Sequence, residues 1–217
     1  MNKTYRLVVF DWDGTLMDSA AEIIGAMQAA IADTGMENRS DGAIRNIIGL
    51  GLYEAIAALY PEAGEHDYTR VVDRYRYHFL ADTGRNSQLF PGVEQLLAEL
   101  SRQGYFLAVA TGKSRRGLNR SLSQVGLERL FHSTRCADET RSKPHPQMLH
   151  EIMDELGAEP AQTLVVGDTE YDLQMASNAS AHSLAVSYGA HDKARLLSCA
   201  PVACLDNVQD LHAWFLT

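Results

Sequence analysis

Four short apolar runs constrain the fold of this 217-residue chain more than any other feature: YRLVVF (5–10), YFLAVA (105–110), TLVVG (163–167) and HSLAVS (182–187). Each is mostly unbroken rather than alternating, the pattern of strands buried on both faces of a parallel sheet. Helical periodicity flanks the later runs on both sides. Residues 92–103, 114–125 and 146–156 repeat their apolar side chains at three and four, and 170–179 and 190–199 follow. PVACLD (201–206) reads as a last strand and 207–216 as a closing helix. Strands alternating with helices predict an α/β protein with a doubly wound, mostly parallel sheet and right-handed crossovers.

The interval between the first two runs is too long for a simple crossover. Ser19 followed by Glu22 is a capping-box pair, opening a helix with Ile23, Ile24, Met27, Ala30 and Ile31 on one face. Gly35 would end it, and further helices fit 41–48, 51–60 (stopped by Pro61) and 67–81. The economical division is a core of residues 1–15 and 86–217 with a helical cap, 16–85, inserted after the first strand. Such a lid would cover the carboxyl ends of the strands, where ligands of open α/β sheets bind.

Bulk properties narrow the function classes. Hydrophobic residues make up 46% and charged residues 22%, an ordinary globular composition. No apolar run approaches the roughly 20 residues that span a bilayer, and no small-residue cleavage site follows the first run. Cys136, Cys199 and Cys204 lack metal-ligand or redox-pair spacing, which predicts a reducing, cytoplasmic setting. The net charge of -9 argues against nucleic acid as a partner. An anionic substrate would then need a local device to hold it. Oligomeric state is not legible.

The strand ends carry the chemistry. The first run leads into Asp11-Trp12-Asp13-Gly14-Thr15, the second into Thr111-Gly112-Lys113-Ser114, and TLVVG into Asp168, with Asp172 four residues on. Lys143 lies in SKPHP. A parallel sheet brings these ends to one edge. Residues i and i+2 of an extended chain point the same way, so Asp11 and Asp13 can flank one reacting atom. Clustered carboxylates need a compensating cation, and a hard divalent ion such as Mg²⁺ supplies it. Thr111 with the Gly112 and Lys113 amides at a helix start suits an anion. Metal, anion cradle and lysine together are the equipment of phosphoryl transfer. ATGKS is not a P-loop, because position 107, where the motif needs glycine, is leucine.

In that order, DWDGTLMDS, ATGKS, SKPHP and GDTEYD resemble the four motifs of the haloacid dehalogenase superfamily. The helical insertion resembles the cap of its phosphoglycolate phosphatase-like subgroup. The resemblance implies a Rossmann-like core and a Mg²⁺-dependent phosphatase acting on a small phosphorylated metabolite. It implies Asp11 as the nucleophile that forms an aspartyl-phosphate, and Asp13 as acid and then base. Thr111 and the Gly112 amide would hold phosphate oxygens, and Lys143 would offset charge. The metal would be held by Asp11, the Asp13 carbonyl and Asp168, with Asp172 beside them.

Other readings of the same residues are weaker. Dehalogenation needs neither Asp13 nor a metal, and phosphonate cleavage needs a cap lysine, of which 16–85 contains none. A sugar-phosphate mutase would want a cap arginine after a glycine, where this chain has IIGLGLYE with Arg45 nearby. Phosphoglycolate is the substrate that the resemblance implies; pyrophosphate and other small phosphate monoesters stay open. A phospho-Asp receiver module would be smaller, lidless, and carry its acceptor on a later strand. Asp18 is assigned to starting the cap helix, Lys113 to a solvated or helix-start position, His145 to a turn, and Arg115 and Arg116 to a solvated helix face, with a second anionic group on the substrate as their alternative partner. Arg45, Tyr53 and the GLGL turn are the candidate cap contacts to substrate.

Overall fold

The computed structural model describes residues 4–81 and 87–216. The chain runs through β1 (Leu7–Phe10), β2 (Met17–Asp18), the helices α1 (Ala20–Thr34), α2 (Asp41–Arg45), α3 (Leu52–Leu59) and α4 (Glu65–Ala81), then β3 (Gln88–Leu89). Alternation follows: α5 (Val93–Arg102), β4 (Phe106–Thr111), α6 (Arg115–Val125), β5 (Ser133–Cys136) and α7 (Gln147–Leu156). The chain ends with β6 (Thr163–Gly167), α8 (Glu170–Asn178), β7 (His182–Val186), α9 (Lys193–Ser198), β8 (Cys204–Leu205) and α10 (Val208–Leu216).

Six strands form one sheet in the order β5-β4-β1-β6-β7-β8, with every pairing parallel. From β1 the chain moves outward to β4 and β5, then returns to β6 on the far side of β1. The carboxyl ends of β4, β1 and β6 therefore lie side by side at the point where the winding reverses, the place where open α/β sheets bind ligands.

The unbroken apolar runs are explained by cover on both faces. Val8, Phe10, Leu107, Val109 and Val166 pack into one cluster with side chains of α5, α6 and α10. Leu7, Val9, Ala108, Ala110 and Val165 pack into another with α7 and α8. All four residues of β1 are fully buried. Each such side chain contributes roughly 1.5–3 kcal/mol of burial, so a polar residue on either face of β1 would be costly.

Helices α1 to α4 share a third cluster, built from side chains such as Met27, Ile31, Ile44, Ile56 and Val72. The chain leaves and rejoins the sheet along a two-residue antiparallel ribbon, with Met17 opposite Leu89 and Asp18 opposite Gln88. The expected re-entry boundary at 85/86 lies outside the described residues.

Asp18 lies directly before the N-cap of α1, as expected, and also pairs in the β2–β3 ribbon. Several local expectations need correction. Ser19 occupies the N-cap position of α1 without capping it. Its backbone is helical rather than extended there (φ -119°, ψ 0°), and its hydroxyl donates to Asp13 instead. The predicted helix 41–48 is regular only through Arg45, giving way to a turn that contains Gly49 at φ 98°. β5 has the polar sequence STRC and no apolar run to announce it.

Candidate active site

Asp11 follows β1 directly, and its N–H extends the ladder to Val166 O at 2.9 Å. Trp12 points the opposite way into the core, where its indole N–H donates to Ser121 Oγ at 2.8 Å. This alternation leaves Asp11 and Asp13, 1% and 7% exposed, on the side of the strand exit that faces a cavity. The turn after them requires glycine. Gly14 has φ 86°, and a Cβ there would sit 2.2 Å from Asp168 Oδ2.

Lys143 is the counter-ion of the site. Its ammonium donates to Asp11 Oδ1 at 2.5 Å and to Asp172 Oδ1 at 2.6 Å, and the side chain has no exposure to solvent. The other Asp172 oxygen accepts from the Thr169 N–H and hydroxyl, at 3.1 and 2.7 Å. Asp172 thus caps α8 and pairs with the lysine at once. Asp168 is held by the Thr15 hydroxyl at 2.8 Å and the Ala190 N–H at 2.7 Å.

Asp11, Asp168 and Asp172 each present an oxygen such that all three lie within 4.8 Å of one another. Asp11 Oδ2 is buried with no hydrogen-bond partner among the described residues. Three convergent carboxylates, a single ammonium and one unpartnered oxygen fit a hard divalent cation.

Electrostatics reflect this crowding. Burial pushes the Asp11 carboxyl well above the ordinary range; Lys143 opposes the shift, and Asp172 and Asp168 add to it. Asp168 is raised to about 7, first by burial and then by the charge of Asp172. Lys143 is pulled down by burial, but Asp11 and Asp172 outweigh this and hold it firmly protonated.

Asp13 stands apart from the three-carboxylate group. Its Oδ1 accepts from the Ser19 hydroxyl at 2.5 Å and from Lys113 Nζ at 2.9 Å. Lys113 is therefore neither solvated nor idle. Its side chain is 9% exposed, and its ammonium also lies 4.6 Å from the centre of the Phe79 ring on α4. Thr111, 1% exposed, ends β4, and its hydroxyl oxygen accepts the Lys113 N–H at 3.2 Å. That bond occupies one of the two amides expected to cradle an anion. The N-cap of α6 is Ser114, which accepts from Gly117 N–H at 3.2 Å. Arg115 is tied to Glu139 and Thr134.

The GLGL turn lies directly on the sheet edge. A Cβ at Gly112 would meet Leu50 O at 2.4 Å and Gly49 O at 2.7 Å, and the Gly51 N–H donates to Ser142 Oγ at 2.7 Å. Between this turn, α1, α4 and the strand ends is a cavity of about 240 Å³, with Asp11, Asp13, Thr111 and Gly112 on its floor. Tyr53 lines it, but the expected contact Arg45 does not: it is exposed at the end of α2. Sequence reasoning missed Lys113, Tyr75 and Phe79 here. The available signal for the last two was their i, i+4 spacing on α4, where the rings stack with centroids 5.4 Å apart.

A parallel sheet with a buried carboxylate, a buried lysine and three convergent acids at its switch point suits phosphoryl transfer. Residues 8–186 match the haloacid dehalogenase-like hydrolase family, and the chain belongs to that family. Among its relatives, the probable phosphatase IndB of Dickeya dadantii is 36% identical over 209 residues, covering 94% of this chain and 91% of that protein. A phosphoglycolate phosphatase of Haemophilus influenzae is 29% identical over 198 residues, covering 87% and 88%. The crystal structure of a predicted phosphatase from Clostridium acetobutylicum superposes with a TM-score of 0.88 at 26% identity, covering 98% of each chain. The chain is accordingly a phosphatase of this family, whose phosphatases generally use a metal ion. Among the described residues no helix is long and apolar enough to cross a membrane.

Proposed function

We propose that the chain is a Mg²⁺-dependent, cytoplasmic phosphatase that hydrolyses a small phosphorylated metabolite through an aspartyl-phosphate on Asp11. The observation that carries this reading is the division of labour on one carboxylate. Lys143 binds Asp11 Oδ1, while Oδ2 is buried without a partner. An oxygen stripped of hydrogen bonds is both the better nucleophile and the atom with most to gain from a cation.

In this reading, Asp11 attacks phosphorus as the ester P–O bond breaks, and Asp13 gives its proton to the departing alkoxide. Asp13 then takes a proton from water, which attacks the aspartyl-phosphate and releases inorganic phosphate. Thr111 and the Gly112 N–H hold phosphoryl oxygens, and Lys143 balances charge on Asp11. Asp11, the Asp13 carbonyl, Asp168 and Asp172 would hold Mg²⁺, which supplies positive charge against the carboxylates and the phosphoryl group. Residues 16–85 act as the cap over a core of 1–15 and 86–217, excluding bulk water from the phosphoenzyme.

Asp11→Asn should abolish Mg²⁺-dependent phosphate release while the variant still folds, as read by circular dichroism; wild-type-like turnover would remove Asp11 from the nucleophile role. Asp13→Asn should accumulate protein heavier by one phosphoryl group in intact-mass spectra. Normal turnover by that variant would defeat the acid/base assignment.

A further inference from the structure

The cavity over Asp11 differs sharply between floor and walls. The floor is polar, as described above. The walls contributed by α1, the turn after α2, α3 and α4 are hydrocarbon and aromatic: Ile23, Met27, Ile48, Leu52, Phe79 and Leu80. Whatever is esterified to the phosphate must lie against them.

Charge in these walls is poorly placed for an anionic alcohol. Lys113 is already bonded to Asp13 at 2.9 Å and covered by Phe79. Arg76 is exposed and sits 4.0 Å from Asp73. Glu54 and Asp138 bring negative charge to the same lining. A carboxylate or a second phosphate on the leaving group would lose its water and gain only the half-exposed Arg76, whose charge solvent screens. An uncharged hydrocarbon or aromatic group would gain from the same surface. The volume, about 240 Å³, is below the roughly 300–1,000 Å³ of pockets for drug-sized ligands, so the group is small.

We propose that the substrate is a phosphate monoester of a small, uncharged alcohol with an aliphatic or aromatic body, rather than a carboxylated ester or a diphosphate. This rests on the phosphatase reading above and narrows it to a substrate class.

The test is phosphate release by the full chain with Mg²⁺ on ethyl, butyl, hexyl and benzyl phosphate, phosphoglycolate and pyrophosphate, with Asp11→Asn as the blank. kcat/KM should rise roughly fourfold per methylene until the cavity is filled, and benzyl phosphate should exceed phosphoglycolate by about tenfold or more. Leu52→Arg, at a half-buried wall position, should narrow or invert that ratio by placing a cation in the apolar wall. Phosphoglycolate or pyrophosphate outrunning the alkyl and benzyl esters in wild type would overturn the substrate class and leave the phosphatase reading intact. No Asp11-dependent release from any ester would overturn the phosphatase reading, and the substrate class with it.

Discussion

Replacing Lys143 with methionine removes the cation that the buried carboxylates share. Methionine keeps the apolar stem and most of the volume, so the packing loss is below about 1.5 kcal/mol. The electrostatic loss is larger. Lys143 Nζ lies 2.5 Å from Asp11 and 2.6 Å from Asp172, with no exposure of the lysine side chain. Removing one member of a buried pair costs about 3–5 kcal/mol. Protonation sets an independent ceiling. A carboxyl with an unfolded-state pKa near 3.9 that must take up a proton to stay folded at pH 7 costs about 4 kcal/mol, at 1.36 kcal/mol per unit. The two routes agree on about 4 kcal/mol. At roughly 2–4 °C per kcal/mol for a chain of this size, the metal-free variant should melt about 8–16 °C below wild type. The deficit should shrink by about 1.4 kcal/mol for each unit the pH is lowered from 7 toward 5, since the carboxyls then fill without penalty. Urea and thermal unfolding in chelator at pH 7 and pH 5 measure both quantities. A deficit under about 2 °C, or one that does not change with pH, would show that Lys143 is not the counter-ion of the group.

Two further outcomes follow from the same geometry. Gly112→Ala places a Cβ 2.4 Å from Leu50 O, against backbone that cannot rotate away. The GLGL turn must lift by the better part of an ångström, which should lower kcat/KM about 10²-fold for about 1–3 kcal/mol of stability; unchanged kcat/KM would show that the close approach is irrelevant to catalysis. Asp168, raised to about 7 in the fold from 3.8, contributes stability that is complete below the lower value and lost as pH rises through the upper one. Metal-free protein should therefore lose up to about 1.4 kcal/mol per pH unit between pH 5 and 7, read from urea midpoints. Asp168→Asn should flatten that slope, and a slope that persists would assign the titration to another group.

What was legible in the sequence is what short stretches of chain settle by themselves. β1, β4, β6 and β7 announce themselves because each is covered on both faces, so no polar residue interrupts them. Asp11, Thr111 and Asp168 follow, since a parallel sheet brings consecutive strand ends to one edge. β5 had no such signal. It is an edge strand whose Arg135 and Ser133 are satisfied by Glu151 and Glu155 on α7, partners that exist only once the helix has packed. Ser19 shows a local rule losing to a tertiary partner, for the Asp13 carboxylate takes the hydroxyl that a capping box would have used. Lys113 is the clearest limit. Next to Thr111 and Gly112 it reads as a helix-start residue, and only the return of β4 alongside β1 puts its ammonium on Asp13, 100 positions away. The walls of the cavity are hidden for the same reason. Periodicity marks the apolar residues of α1 and α4, but which of them face their own cluster and which face Asp11 depends on how closely the helical segment sits on the sheet. The closest approach is where Gly112 leaves no room between itself and the carbonyls of Gly49 and Leu50, with the Gly51–Ser142 and Asn46–Tyr171 hydrogen bonds beside it. The GLGL turn, read in the sequence as a candidate substrate contact, is therefore also where the helical segment packs on the sheet edge beside the cavity.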